Sequence, residues 1–310
     1  MAVGQRESIW SRLLVAITTP FGADGSVDLD ELRRHAEWLA SEGVGGVVVG
    51  GSLGEGSSLS EDERRSLVAE LARALPESVP LVSAVGSLTT SGAVRQAREA
   101  GAAGARGLLV LPPYVYRGDR REVLAHYAAV FGATDLPCML YNNPLAYGTD
   151  VAPEDVLELA TAHPTLTGVK ESTGDVRRIT ALRALLGDRV EVAVGLDDAV
   201  LEGVHAGAGG WVAGLANGLP WESAVLWDLA RRGHASDAVE VYRWFLPLLR
   251  MDTGPKFVQQ IKLVTAERGF GHPRVRPPRL ELTDEEREAT LTVLRDVLAR
   301  RPAVASRAVK

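Results

Sequence analysis

The sequence predicts a closed (β/α)8 barrel of the TIM type with a C-terminal three-helix extension. Three observations carry that prediction. Short apolar runs alternate with helix-spaced segments eight times within residues 1–233. The run at 46–49 is apolar throughout, as a strand buried on both faces must be. After Gly233 the strand pattern stops and only helical spacing remains. Apolar strands alternating with helices give a parallel sheet with right-handed crossovers. Eight such units in about 230 residues fit a closed barrel. An open, doubly wound sheet is the alternative. No G-x-G-x-x-G or Walker sequence opens a helix here to support its nucleotide-binding version.

Taken in order, 13–18 reads as the first strand and 20–25 as a turn. Residues 28–42 have helical spacing through Leu32, Ala36 and Leu39, and Gly43 closes that helix. The strand at 46–49 runs into a glycine-rich loop, Gly50-Gly-Ser-Leu-Gly-Glu-Gly56. Ser60 and Glu63 then form a capping box for the next helix. Strands at 81–85, 107–111, 138–141, 166–170, 190–195 and 210–213 follow. Their helices are at 90–100, 119–131, 153–162, 176–186, 199–206 and 221–232. Helices at 236–249, 256–267 and 284–300 make the extension. The expected division is a catalytic barrel over 1–233 and a helical extension over 234–310.

Composition narrows the function. A net charge of −6 and a pI near 5.6 argue against a nucleic-acid binder, which needs a basic stripe. The single cysteine, Cys138, excludes a disulfide within the chain and fits a reducing cytoplasm. No apolar stretch is long enough to span a bilayer, and the first eight residues lack a signal-peptide pattern. The six histidines are scattered, with no H-E-x-x-H or C-x-x-C pair, so no metal is expected. There is no G-x-S-x-G elbow. The expectation is a cytoplasmic enzyme or binding protein for a small molecule, with no membrane or nucleic-acid partner.

Lysine is rare: Lys170, Lys256, Lys262 and Lys310 stand against thirty arginines. Lys170 ends the apolar run at 166–170, where an ammonium loses hydration. Held partly neutral, its amine attacks a carbonyl carbon; otherwise it snorkels to solvent. Active sites of such barrels lie at the C-terminal strand ends. Those ends hold Thr18 and Thr19, Gly51-Ser52-Leu53, Tyr114, Tyr141, Lys170 and Gly195. Tyr141 and Lys170 are expected at one height on adjacent strands. The Gly51-Ser52-Leu53 loop suits a substrate carboxylate, with the neighbouring 2-oxo carbon facing the lysine and the phenol as proton shuttle. Each residue also has a structural reading: Tyr141 as core, Ser52 as turn former. Asp197 and Asp198 precede Ala199 and read as helix caps, with contact to polar parts of a substrate as the alternative.

Gly51-Ser-Leu-Gly-Glu55, Tyr141-Asn-Asn-Pro144 and Gly168-Val-Lys-Glu-Ser-Thr-Gly-Asp175 resemble the motifs of the dihydrodipicolinate synthase / N-acetylneuraminate lyase family. These are class I, Schiff-base-forming lyases on a (β/α)8 barrel with a C-terminal helical extension. The resemblance covers about residues 10 to 300. It implies Lys170 as the Schiff-base lysine and Tyr141 as the proton relay. It implies Gly51, Ser52, Leu53, Tyr114, Ser172 and Gly195 as substrate-binding positions. It also implies no cofactor, since the lysine is the electron sink, and a homotetramer.

Three departures bear on the substrate. The synthases usually carry two threonines where this chain has Ser52-Leu53. They have a second tyrosine, donated across a subunit interface, where this chain has Val115, with Tyr116 next to it. They hold the second substrate's carboxylate with an arginine where this chain has Ala146. The motifs look most like a subgroup of hydroxyproline breakdown, the Δ1-pyrroline-4-hydroxy-2-carboxylate deaminases. The expected function is therefore a lyase on a small 2-oxo acid or its cyclic imine, with that deamination first. Dihydrodipicolinate synthase, a 2-oxo acid aldolase and a non-catalytic acid-binding barrel are the alternatives.

Overall fold

The computed structural model describes residues 8–114 and 116–305. Its strands are β1 (Leu13–Ala16), β2 (Gly46–Val49), β3 (Leu81–Val85), β4 (Gly107–Val110), β5 (Cys138–Asn142), β6 (Leu166–Glu171), β7 (Glu191–Val194) and β8 (Gly210–Ala213). They pair in parallel in chain order, and β8 returns to β1 through Val212 opposite Leu14, closing the barrel. Outside lie α1 (Leu29–Ser41), α2 (Glu61–Ala74), α3 (Thr90–Ala102), α4 (Arg120–Phe131), α5 (Pro144–Tyr147), α6 (Pro153–Ala162), α7 (Arg177–Leu186), α8 (Val200–His205) and α9 (Pro220–Arg231). The chain then forms α10 (Ala235–Leu249), α11 (Phe257–Glu267) and α12 (Asp284–Ala299). No helix among the described residues is long and apolar enough to cross a membrane.

The predicted elements are present with shifted ends, and the shifts have causes. The first strand stops at Ala16 instead of Thr18. The Thr18 N–H donates to Asn217 Oδ1, and the Thr19 hydroxyl donates to the Gly54 carbonyl. Side chains thus replace the ladder there. The strand carrying Lys170 continues one residue to Glu171, opposite Asn142. Ser60 caps α2 through the expected reciprocal box with Glu63. The four-residue helix α5 has no counterpart in the sequence reading. Asn143 caps it, Pro144 opens it and Gly148, at φ +69°, closes it.

Two apolar layers fix the barrel. The outer layer joins the strands to the helices. The inner layer holds Leu14, Val48, Val82, Leu109, Met139 and Val212, with Trp10 beneath them. Trp10 is fully buried and donates from Nε1 to Thr167 Oγ1 at 2.9 Å. It stops the bottom of the barrel with a large apolar ring. At the opposite end Ala16, Val48, Leu109 and Val212 line an open space among the strand ends. The extension is tied to this mouth. Lys262 of α11 reaches Glu55 at 2.7 Å, with both side chains buried.

Candidate active site

The space at the mouth is a cavity of about 270 Å³. Gly51, Ser52, Leu53, Tyr141, Lys170 and Gly195 all line it. Six of the eight site positions expected from the sequence therefore converge on one cavity. Tyr141 lies opposite Lys170 in the β5–β6 ladder, as expected. Lys170 Nζ sits 4.3 Å from the centre of the Tyr141 ring. Among the described residues it has no ion-pair or hydrogen-bond partner. The π face steadies a cation there, and the cavity side of the amine stays open.

The strand ends beneath these two groups are braced. Glu171 accepts from Asn142 Nδ2 at 3.1 Å and from the Thr173 N–H at 2.7 Å. Tyr127 Oη donates to the Tyr141 carbonyl at 3.1 Å. Asn143 Nδ2 donates to Tyr141 Oη at 3.0 Å. The phenol oxygen thus accepts one hydrogen bond, and its own proton stays free for another acceptor.

Gly195 shows why that position needs glycine. A Cβ there would lie 1.9 Å from Ser172 Oγ and 2.7 Å from Lys170 Cε. Ser172 is fully buried and its hydroxyl has no hydrogen-bond partner among the described residues. It packs behind Gly195, next to the lysine stem, and is not part of the cavity wall. Tyr114 is also set apart. It lines a neighbouring cavity of about 220 Å³ together with Arg64, Tyr147 and Arg279, which shares Gly51, Ser52 and Ala146 with the first. Val115 lies outside the described residues. Tyr116 is exposed and lines neither cavity.

Asp197 overturns its reading as a helix cap. Its carboxylate is fully buried and accepts from Trp211 Nε1 at 2.9 Å, from the Gly214 N–H and from the Leu215 N–H at 2.7 Å. The carboxylate holds the turn after β8 and does not cap the helix that follows; only the Asp197 carbonyl accepts from that helix, from the Val200 N–H. Burial pushes its pKa up to about 6 against those three donors. Asp198 makes no such cap either; burial raises its pKa as well.

Sequence reasoning missed three contributors. Asp252, from the turn Arg250–Thr253, lines the Lys170 cavity. Its Oδ1 fills the space of a Cβ at Gly214, 1.9 Å away, so glycine at 214 admits it. Burial holds its carboxyl well above the usual range, and the nearby Asp197 charge adds to this while Lys170 opposes it. Asn143 lines the same cavity. Tyr147 hydrogen-bonds the Ser52 hydroxyl. Only the Asn143-Pro144 and Gly148 cap signals marked the helix that carries Tyr147.

A buried lysine beside a phenol, at the C-terminal mouth of a (β/α)8 barrel, defines a lyase of the lysine Schiff-base class. Residues 10–297 match the dihydrodipicolinate synthetase family. The chain is 39% identical over 229 residues to a 4-hydroxy-tetrahydrodipicolinate synthase of Xanthomonas axonopodis pv. citri, covering 74% of this chain and 75% of that one. It is 33% identical over 288 residues to the Haloarcula marismortui protein of the same name, covering 92% and 91%. A solved structure described as a putative dihydrodipicolinate synthetase from Pseudomonas aeruginosa superposes with a TM-score of 0.88 at 33% identity, over 92% of this chain and 99% of that one. The chloride-inhibited dihydrodipicolinate synthase of Acinetobacter baumannii, complexed with pyruvate, gives 0.89 at 28%, over 94% and 99%. This chain belongs to the dihydrodipicolinate synthetase family.

Proposed function

We propose that this protein is a Schiff-base lyase for one small 2-oxo acid or its cyclic imine, and that its substrate is Δ1-pyrroline-4-hydroxy-2-carboxylate. One observation carries the reading: Lys170 is the only cation among the described residues that line its cavity. The wall where an arginine would hold a second carboxylate is Leu145 and Ala146, and Leu53 stands beside Ser52. Such a cavity takes one anionic group, on the Gly51–Leu53 loop, and offers no cation to a second.

The chemistry follows from the lining. The Lys170 amine attacks the imine carbon that bears the carboxylate, and the ring nitrogen leaves as an amine, opening the ring. The resulting Schiff base acidifies the adjacent carbon. Tyr141 serves as proton shuttle while that carbon loses its proton and the 4-hydroxyl departs as water. Tautomerisation then moves the new carbon–carbon double bond to the amine-bearing carbon as a second imine, while the Lys170 Schiff base stays in place. Hydrolysis there releases ammonia, and hydrolysis at Lys170 frees 2-oxoglutarate semialdehyde. One water is consumed overall: one is released on dehydration and two enter by hydrolysis. No second substrate is needed.

A second reading is favoured by the relatives at 39% and 33% identity, which are named 4-hydroxy-tetrahydrodipicolinate synthases. Borohydride trapping separates the two. The protein is incubated with pyruvate, or with the hydroxypyrroline carboxylate, then reduced and mapped by peptide mass. The proposal expects the adduct on Lys170 and turnover of the cyclic imine to ammonia. Turnover of pyruvate with aspartate semialdehyde, and none of the imine, would replace it with the synthase. The same proposal takes 1–233 as the catalytic barrel and 234–310 as its extension. It includes a cytoplasmic homotetramer, for which sedimentation in solution is the check.

A further inference from the structure

Two hydroxyl-bearing residues line the substrate space, and each hydroxyl has a polar partner. Asn143 donates to Tyr141 Oη. Tyr147 Oη bonds Ser52 Oγ, and Tyr147 lines the neighbouring cavity, not the one that holds Lys170. A hydroxyl has one proton and can accept through its lone pairs. If Tyr147 gives its proton to Ser52, the Ser52 proton is left free for an acceptor in the Lys170 cavity, which Ser52 lines. Tyr147 is suited to the donor role. Burial raises its pKa further above the ordinary phenol value, with the nearby Tyr141 adding to this, so it keeps its proton. Its ring is fixed as well. It stands edge-on to Tyr141 with centroids 5.7 Å apart and is tilted against Tyr114 at 6.0 Å. The backbone is set by the Asn143 cap and the Gly148 stop of α5.

We infer that Tyr147 is a positioning residue that fixes the Ser52 hydroxyl as a hydrogen-bond donor to the substrate carboxylate, from within the same chain. The inference rests on the Schiff-base reading of Lys170 and deepens it. It gives α5 a role beyond the cavity wall that Leu145 and Ala146 supply. Oriented donors in a partly enclosed site need no reorganisation when the anion arrives. The Tyr147–Ser52 pair therefore acts on substrate affinity, whereas Tyr141 acts on proton transfer.

The test is a double-substitution cycle read by borohydride trapping. Half-saturating concentrations of pyruvate and of the hydroxypyrroline carboxylate are measured for the full-length protein, for Tyr147→Phe, for Ser52→Ala and for the double variant. Phenylalanine keeps the ring contacts and removes the oxygen. The expected result for Tyr147→Phe is a half-saturation about three- to tenfold higher, the value of one hydrogen bond, with little change in the maximal trapping rate. In the Ser52→Ala background the same change should add nothing. An unchanged half-saturation in Tyr147→Phe overturns the inference. So does a double variant as much worse than Ser52→Ala as Tyr147→Phe is than the parent, which would also expose a general folding defect. If the unsubstituted protein forms no adduct with either compound, the Schiff-base reading falls and this inference with it. An adduct that forms normally but ignores Tyr147 sinks only the inference.

Discussion

Lys262 and Lys170 are both buried, at 1% and 7% exposure, yet their surroundings differ in kind. Lys262 lies 2.7 Å from Glu55 Oε1 in a fully enclosed pair, with the Phe21 ring 4.4 Å away. Glu55 also accepts from the Arg276 N–H at 3.0 Å. Burial pushes the Lys262 pKa down to about 8, against the opposing pull of Glu55. Lys170 has an aromatic face on one side and a cavity on the other, with no carboxylate bonded to it. Coordinated by a carboxylate and closed off, a lysine joins the β2 loop to α11. Left uncoordinated beside open space, it remains available to a carbonyl carbon. The two lysines are alike in burial and differ in their partners, which is the ground for proposing Lys170 and not Lys262 as the nucleophile.

That contrast is open to direct attack. Lys170→Ala should abolish the borohydride adduct and lower turnover by at least about a thousandfold, with urea denaturation little changed. An adduct that survives this substitution would remove Lys170 from its role. Lys262→Ala should do the reverse. It leaves the buried Glu55 without its close ion-pair partner, with only Arg279 at 4.0 Å, a loss of about 3–5 kcal/mol in unfolding free energy, while the folded fraction still traps substrate at Lys170. Replacing both partners, Glu55→Gln with Lys262→Met, should recover most of that loss. If it does not, the pair holds the loop by more than charge compensation.

Smaller effects refine the picture. Tyr141→Phe keeps the ring under the ammonium and removes the shuttle. Turnover should fall by about 10²–10⁴, while Lys170 still forms a trappable adduct. Loss of trapping along with turnover would mean that the phenol is needed for lysine attack itself. The mildest expected effect lies at the link to the extension. Arg276 holds Glu63 by hydrogen bonds at 2.7 and 2.9 Å, which lower the Glu63 pKa from 4.5 to about 2. A depressed carboxyl pKa gives stability that is present above pH 4.5 and is lost as pH falls toward 2. Glu63→Gln should flatten the stability–pH curve in that window by about 1–2 kcal/mol, after allowance for solvent screening. An unchanged curve would leave the link held by the Arg276 backbone and its other carbonyl contacts.

The barrel was legible because period and position are local properties. Eight apolar runs at strand length imply eight strands, and a lysine or tyrosine that ends a run is placed at the mouth by the parallel topology. Lys170, Tyr141 and Ser52 were found in this way, and their convergence followed from strand order. Strand ends were less legible, because Asn217 and Gly54 compete with the ladder at Thr18 and Thr19 from distant points in the chain. Asp197 was misread for the same reason: its three donors come from Trp211, Gly214 and Leu215, in the next strand and turn.

What remained for the tertiary structure was every relation between side chains far apart in sequence. Ser52 and Tyr147 are separated by 95 positions, Glu55 and Lys262 by 207. No periodicity links such pairs, because periodicity reports which face a residue takes and not which residue it meets. Asp252 enters the mouth only because Gly214 leaves room for its carboxyl, a steric fact created when the extension packs on the barrel. Composition, spacing and turn chemistry thus decided the architecture and which residues stand at the strand ends of the mouth. Packing decided which hydroxyl orients which, which lysine is neutralised by a carboxylate, and which one faces the cavity.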